Sequence, residues 1–191
     1  MNRLLFPLFV LILSLSTAAF AGETSSSCEG LPYLIHKTCQ RLHQIWTEGS
    51  NELYGTGYAW HNRYTYDKER LKTYNEQAWG GGLGKGFYDE DNDWHGLYAI
   101  AFLDSHKNIE PALGYAFLKV AHLSENLRLG GGYSVLVTAR PDIFKGIPFP
   151  GVLPWLSINY RHASIGATYI PGAQGAGNVL FIFGKWTFEK L

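Results

Sequence analysis

The sequence carries little charge and almost no cysteine, and both shortages narrow the range of functions that it could have. Lys and Arg together number 16, as do Asp and Glu, so the formal net charge is zero. Without a strong positive field, the chain is not expected to bind nucleic acid. Cys28 and Cys39 are the only cysteines, which is too few for a disulfide framework. They form either one local disulfide or two free thiols, and we assign them no chemistry.

A long hydrophobic run is also missing once the first residues are set aside. A short positive start, an apolar run over 4–15 and an A-x-A sequence over 19–21 have the order of a secretory signal peptide. Beyond residue 21 no stretch of about 18 apolar residues remains, so no transmembrane helix is expected. Of the 191 residues, 1–21 are therefore predicted to be a signal peptide and 22–191 a single domain.

One segment of that domain has helical periodicity. Over about 31–47 the apolar residues recur at helical spacing, and Lys37, Arg41 and Gln44 fall elsewhere on the helical wheel. This pattern predicts an amphipathic helix. Such a helix could pack on a core, close the end of a barrel or lie on a membrane surface.

After residue 49 the hydrophobic period changes to two, which is typical of strands. No helical pattern interrupts the later segments, so the sheet should be antiparallel and able to close into a small barrel. The nearly apolar run that begins at Trp94 has the length of a tilted strand that crosses a bilayer. The eight strand candidates are about 54–66, 74–87, 94–104, 112–121, 128–139, 152–160, 162–170 and 178–188.

Side-chain size alternates along these candidates. Over 129–139 large apolar residues occupy most odd positions, while glycine, serine and threonine occupy most even ones. A soluble lipocalin-like barrel, which is the alternative, would carry charge on its outer face. Charge is nearly absent from the middle of these strands. The pattern therefore favours an all-β, eight-stranded antiparallel transmembrane barrel, with bulky side chains toward lipid and an uncrowded lumen.

Three residues suited to acyl transfer fall at one end of that barrel. If both termini face the inner side, His61 lies near the outer end of the first strand, and Asp104 and Ser105 lie at the outer end of the third. A histidine can act as a base, a carboxylate can fix its tautomer, and a serine can attack an ester or bind the oxyanion. Neighbouring strand residues point to opposite faces, so Asp104 and Ser105 can cooperate only where the strand has ended. The sequence leaves open whether an acyl-serine forms or His61 activates the acceptor hydroxyl directly.

Short motifs spread from about 46 to 188 match one known family in order and spacing. They include Trp60-His61, Tyr74-Asn75-Glu76, Trp79-Gly80-Gly81-Gly82, Trp94-His95-Gly96-Leu97-Tyr98-Ala99, Asp104-Ser105, Val137-Thr138-Ala139-Arg140 and Thr168-Tyr169-Ile170-Pro171-Gly172. In these motifs the chain resembles the lipid A palmitoyltransferase family, the PagP proteins. The resemblance implies a monomeric enzyme of the Gram-negative outer membrane that moves a palmitoyl chain from a glycerophospholipid to lipid A of lipopolysaccharide. It also implies that His61, Asp104 and Ser105 are required for activity, and it implies no cofactor.

The resemblance further implies an acyl-chain pocket, and the chain departs from the family there. The glycine that typically forms the pocket floor corresponds to Ala116. Packed interiors respond to a single methylene, so the extra methyl predicts a preference for acyl chains slightly shorter than palmitate. Ile100 or its neighbours could compensate.

The sequence also departs from the family pattern at the lateral openings of the pocket. The prolines that weaken strand pairing at one opening match Pro154 and Pro171, whereas those at the other opening are replaced by Thr56 and Ala78. Proline removes a hydrogen-bond donor from the strand ladder. Only the opening beside Pro154 and Pro171 is therefore expected to be loose.

Other functions compete with the enzyme. A barrel without catalytic activity could bind lipid or serve in adhesion or structure, and a soluble exported lipid carrier is a third candidate. His95 falls at the inner end of the third strand, far from the other candidate residues, and we interpret it as structural. The remaining histidines lack the spacing of metal ligands, so no metal is expected.

Overall fold

The computed structural model describes residues 28–30, 32–172 and 177–188, so the predicted signal peptide lies outside the described residues. The described residues begin with helix α1 (Tyr33–Glu48), and a short helix α2 (Lys68–Leu71) follows the first strand. The strands are β1 (Ser50–His61), β2 (Gly80–Tyr88), β3 (Trp94–Leu103), β4 (Ile109–His122), β5 (Leu127–Thr138), β6 (Phe149–Tyr160), β7 (Ala163–Ile170) and β8 (Val179–Thr187).

The strands form a closed barrel. Each strand pairs antiparallel with the next along the chain, and β1 pairs with β8, from Glu52 opposite Thr187 to His61 opposite Val179. The all-β, eight-stranded antiparallel barrel predicted from the sequence is thereby confirmed. We call the end of the barrel where β1 and β3 finish the site end, and the opposite end, where α1 enters β1, the helix end.

The first two predicted strands have wrong boundaries. β1 ends at His61 rather than at residue 66, and β2 begins at Gly80 rather than at residue 74. The chain between them forms a long loop that contains α2. Apolar or aromatic residues at alternate positions, such as Tyr64 and Tyr66, imitate strand periodicity in this loop, although it makes no strand ladder.

Helix α1 is amphipathic as predicted and closes one end of the barrel. Its residue Ile45 is completely buried, whereas Trp46 is mostly exposed. Arg41 lies 3.4 Å from a carboxylate oxygen of Glu90, in the turn between β2 and β3. A disulfide joins Cys28 to Cys39 and ties the start of the described chain to the helix. Within the described residues there is no helix that is both long and apolar enough to cross a membrane.

The two faces of the sheet differ as the alternation predicts. Leu113, Leu156 and Ile165 point outward, and each is more than 60% exposed. Ala116 and Ser134 point into the barrel and are at most 2% exposed. An apolar outer belt around a closed ladder is what a lipid environment requires, because lipid cannot hydrogen-bond to free backbone groups.

Toward the helix end the barrel is filled by side chains. Glu52 is almost completely buried and forms an ion pair with Lys185, and it also accepts a 2.8 Å hydrogen bond from the Tyr54 hydroxyl. The Lys185 ammonium lies 4.0 Å from the centre of the Trp94 ring. Gly86 makes room for this cluster, since a Cβ at that position would lie 2.3 Å from a Glu52 carboxylate oxygen. Among the described residues, these side chains fill the lumen toward the helix end.

His95 also lies near the helix end. Its Nε2 is 2.8 Å from Asp89 Oδ2, and its Nδ1 is 2.7 Å from the Tyr115 hydroxyl. These contacts link the turn between β2 and β3 to β4, in keeping with the structural role expected for this histidine.

Breaking the buried Glu52–Lys185 pair should destabilise the barrel strongly. We expect Glu52→Leu to lower the free energy of unfolding by about 3–5 kcal/mol, because the Lys185 ammonium would remain buried without a counter-charge. Tryptophan fluorescence during urea unfolding in detergent micelles measures the change. The double variant Glu52→Leu/Lys185→Met is the control and should unfold close to the wild type. A single variant within about 1 kcal/mol of the wild type would contradict the role of the pair.

Candidate active site

The part of the lumen nearest the site end is a cavity of about 560 Å³, and it opens at that end. This volume lies within the range of small-molecule sites in proteins. Ile100, Phe102 and Phe181 line its walls, while His61 and Ser105 line its mouth. The cavity is therefore an apolar tube with polar groups at its entrance.

The entrance contains a histidine–serine pair. The imidazole Nε2 of His61 lies 2.8 Å from the Ser105 hydroxyl oxygen. His61 is the last residue of β1 and is 1% exposed. Ser105 comes two residues after β3 ends at Leu103, so it lies in a turn where the alternation of strand faces no longer applies. The barrel thus brings together two of the three residues that the sequence proposed, across 44 positions of chain.

The third residue, Asp104, is close by but is not bonded to the histidine. Its Oδ1 accepts hydrogen bonds of 2.8 Å from the backbone N–H groups of His106 and Asn108. Its Oδ2 faces the Asn108 amide at 3.4 Å and the Arg140 guanidinium at 4.0 Å. These contacts order the turn that presents Ser105. The expectation that Asp104 would fix the tautomer of His61 is therefore not met.

The carboxylate beside the histidine is Glu76, which the sequence pattern alone did not single out. Glu76 Oε1 accepts a 3.0 Å hydrogen bond from the His61 backbone N–H and lies 3.4 Å from His61 Nδ1. Both Glu76 oxygens accept hydrogen bonds from Arg63, at 2.6 and 2.7 Å. These bonds from Arg63 lower the pKa of the Glu76 carboxyl to about 2, so it is ionised throughout the physiological pH range. Its place in the Tyr74-Asn75-Glu76 motif was the available sequence signal.

Two tyrosines enclose the imidazole of His61. The Tyr74 ring stacks on it with 4.9 Å between ring centroids, and the Tyr66 ring meets it edge-on at 5.5 Å. The Tyr66 hydroxyl in turn donates a short hydrogen bond to the Gly177 carbonyl. This packing restricts the rotation of the imidazole and directs Nε2 toward Ser105.

A network of charges surrounds Asp104 at the same end of the barrel. Arg140 makes two hydrogen bonds to Asp142, at 3.0 and 2.9 Å, and lies 3.6 Å from Glu110. Ligand atoms of Asp104, His106 and Asp142 lie within 4.8 Å of one another, a distance that could suit a metal ion. However, the guanidinium and backbone N–H groups already bind these carboxylates. We interpret the cluster as a charge network and assign no metal to it.

Of the two residues predicted to set acyl-chain length, one lines the cavity and the other does not. Ile100 lines the cavity wall, but Ala116 is buried and is not among the described residues that line the cavity. The floor contains Tyr98, whose ring covers Gly114 so closely that a Cβ there would lie 2.5 Å from it. The Tyr98 hydroxyl lies 2.6 Å from the hydroxyl of Ser134, which also lines the floor. Sequence periodicity does not reveal that this ring lies over the neighbouring strand β4 and reaches β5.

Strand pairing stops early at two places around the site end. The β6–β7 ladder ends at Trp155 opposite Thr168, so the part of β6 that contains Pro154 has no partner in β7. Pro171 follows the last residue of β7 and lines the cavity. Beyond Trp155 and Thr168 the backbone ladder between β6 and β7 is missing, and the Thr168 hydroxyl donates a 2.7 Å hydrogen bond to the Pro154 carbonyl.

The β1–β2 ladder also stops, at Thr56 opposite Gly80. Here the gap is bridged. The Thr56 hydroxyl donates a 2.6 Å hydrogen bond to the Ala78 carbonyl, and the Ala59 N–H donates a 2.9 Å bond to the Glu76 carbonyl. The threonine that occupies the family's proline position thus helps to hold the two sides together.

Comparison with known proteins agrees with this geometry. The sequence model of the family described as "Antimicrobial peptide resistance and lipid A acylation protein PagP" matches residues 41–185. A protein of Legionella pneumophila named "Lipid A acyltransferase PagP" is 56% identical over 185 residues, which cover 97% of this chain and 98% of the relative. Proteins of the same name are 57% identical in Legionella longbeachae, covering 89% and 74% of the two chains, and 56% identical in Bordetella pertussis strain Tohama I, covering 86% and 91%. The chain belongs to the PagP family.

Proposed function

We propose that this protein is an outer-membrane acyltransferase that moves a palmitoyl or slightly shorter chain from a glycerophospholipid to lipid A of lipopolysaccharide. The observation that carries the proposal is the 2.8 Å contact between His61 Nε2 and Ser105 Oγ at the mouth of an apolar cavity. Such a cavity suits one fatty acyl tail, with its ester bond at the entrance. Family membership and the lipid-facing belt of the barrel support the substrate class and the location.

The reaction needs a base that moves one proton. His61 Nε2 takes the proton of the attacking hydroxyl, and the same imidazole returns it to the oxygen of the departing lysophospholipid as the donor ester bond breaks. In one route Ser105 is the attacking hydroxyl, and an acyl-serine passes the chain to lipid A. In the other, a lipid A hydroxyl attacks directly, and Ser105 donates a hydrogen bond to the oxyanion. Asp104 serves both routes by holding the turn that carries Ser105.

The enzyme is proposed to act as a monomer without a cofactor, because acid–base and nucleophilic chemistry at His61 and Ser105 requires neither. The unpaired edges beside Pro154 and Pro171 offer a lateral path by which a lipid tail can pass from the bilayer into the cavity. A threonine hydroxyl bridges each gap, but the gap between β1 and β2 has in addition the backbone hydrogen bond from Ala59 to Glu76. The lateral path at β6–β7 is accordingly the proposed entrance for the donor.

The cavity floor supports selection by chain length. An acyl chain that enters from the mouth ends against the Tyr98 ring and the Ser134 hydroxyl, whereas Ala116 is not among the described residues that line the cavity. Ala116 pairs in register with Ser134 on the neighbouring strand, so its methyl group packs beside the floor. In this arrangement Ala116 affects chain length through the neighbouring floor residues rather than by contact with the substrate.

Removal of either member of the catalytic pair should stop acylation. We expect Ser105→Ala and His61→Ala each to lower transfer of the acyl chain to lipid A by about 100-fold or more, because acid–base catalysis contributes at least that factor. Mass spectrometry of lipid A from cells that produce each variant measures the transfer. Heat-dependent migration in gel electrophoresis verifies that the barrel is folded.

Matched control residues are available at the helix end, opposite the candidate active site. Ser124 and His122 are exposed near the helix end, and Ser124→Ala and His122→Ala should acylate like the wild type. Full acylation by Ser105→Ala and His61→Ala would contradict the proposal and favour a barrel without catalytic function. An increase in protein mass by one acyl group would identify the acyl-serine route.

The acyl profile tests the floor. We expect the wild type to prefer chains slightly shorter than palmitate, and Tyr98→Ala to shift the profile to longer chains, because loss of the ring deepens the cavity. Mass spectrometry of lipid A after incubation with phospholipids of defined chain lengths measures both. Leu113→Ala, on the lipid-facing side, is the control and should leave the profile unchanged. A wild type that strictly prefers palmitate would refute the effect assigned to Ala116.

A further inference from the structure

We propose that Glu76 is the positioning residue for His61, so that the relay at the cavity mouth runs from Glu76 through His61 to Ser105. The inference rests on the proposed acyl transfer and adds to it the group that orients the base. It assigns to Glu76 the task that the sequence pattern suggested for Asp104.

The first support is where Glu76 is attached. Its carboxylate accepts the backbone N–H of His61, and its own carbonyl accepts the N–H of Ala59 on the same strand. The next residue toward the N-terminus, Asn75, donates its backbone N–H to the Ser105 carbonyl at 2.8 Å. The segment that carries Glu76 is thus bonded both to the strand of the base and to the turn of the serine.

The second support is the geometry around the imidazole. Glu76 Oε1 lies on the Nδ1 side of His61, and Ser105 Oγ lies on the Nε2 side. A carboxylate beside Nδ1 places the ring proton there and leaves the Nε2 lone pair toward the serine hydroxyl. The 3.4 Å separation between Nδ1 and Oε1 is long, as is common before a substrate binds, and it can shorten when the imidazole gains charge.

The third support is that Arg63 holds the carboxylate in place. Its guanidinium binds both Glu76 oxygens and donates a 3.1 Å hydrogen bond to the His61 carbonyl. The Tyr58 hydroxyl adds a 3.1 Å hydrogen bond to Oε2. Such a bidentate pair fixes both the plane and the charge of a carboxylate. Glu76 therefore cannot rotate away from His61 without breaking several bonds.

The other ionisable groups near His61 do not offer the same contact. Tyr66 and Tyr74 meet the imidazole with their rings. Asp104 uses its carboxylate on the backbone of its own turn, and Arg140 pairs with Asp142. The His106 ring meets the Tyr74 ring edge-on at 5.5 Å, and Arg70 lies over the Tyr74 ring, 6.0 Å from its centre. Of the described carboxylates, Glu76 is the one in contact with the imidazole.

The test compares Glu76→Gln with Glu76→Asp and with Glu69→Gln, an exposed glutamate of the same loop. Purified protein in detergent micelles is supplied with phospholipid and lipid A, and kcat, KM and the pH–rate profile are measured. We expect Glu76→Gln to lower kcat by about 100-fold with little change in KM, since orientation of the base matters in the transition state. The acidic limb of its profile should also move to lower pH, because the imidazolium loses its neighbouring negative charge. Glu76→Asp should restore the wild-type position of that limb, and Glu69→Gln should match the wild type.

A second measurement does not depend on acyl transfer. NMR titration of the His61 imidazole, assigned with His61→Ala, should show a midpoint at lower pH in Glu76→Gln than in the wild type. An unchanged midpoint would overturn the proposal, as would a loss of kcat in Glu76→Gln with an unmoved acidic limb, which is the result of a purely structural anchor. A wild type that transfers no acyl chain while its titration responds to Glu76→Gln would instead contradict the proposed function and leave the positioning role intact.

Discussion

Closure of the sheet between β1 and β8 is the constraint on which the rest of the structure depends. A chain in lipid must satisfy its backbone hydrogen bonds internally, and a closed ladder does so without a free edge. Closure fixes the register of every strand, so His61 and the end of β3 come to the same end of the barrel. The proposed catalytic pair is thus assembled by strand pairing rather than by local sequence.

The repetitive part of the fold was predictable because each strand alternates between lipid and lumen. Hydrophobic period therefore indicated the number of strands, the antiparallel order and the outward face of residues such as Leu113 and Ile165. The loop between β1 and β2 was not predictable by the same rule. Its alternating aromatics resemble a strand, although Tyr66 and Tyr74 pack around an imidazole instead of forming a ladder.

The site was predictable in its residue types and only partly in its connections. His61 and Ser105 follow from their positions at strand ends, and the contact between them agrees with that placement. Which carboxylate approaches the histidine depends on how the loop between β1 and β2 returns to the barrel. This loop brings Glu76 to His61 Nδ1. In the same way, the floor depends on the direction of one ring, Tyr98, which strand position alone does not specify.

The filled half of the barrel has a consequence for the membrane itself. A tube wide enough for a fatty tail would, if it ran through, let small solutes leak across a barrier that protects the cell. Buried Glu52 and Lys185 neutralise each other below the cavity, and Tyr54 and Trp94 occupy the space around them. In the part of the chain that the structure describes, the hollow therefore ends inside the barrel and does not run through it as a channel.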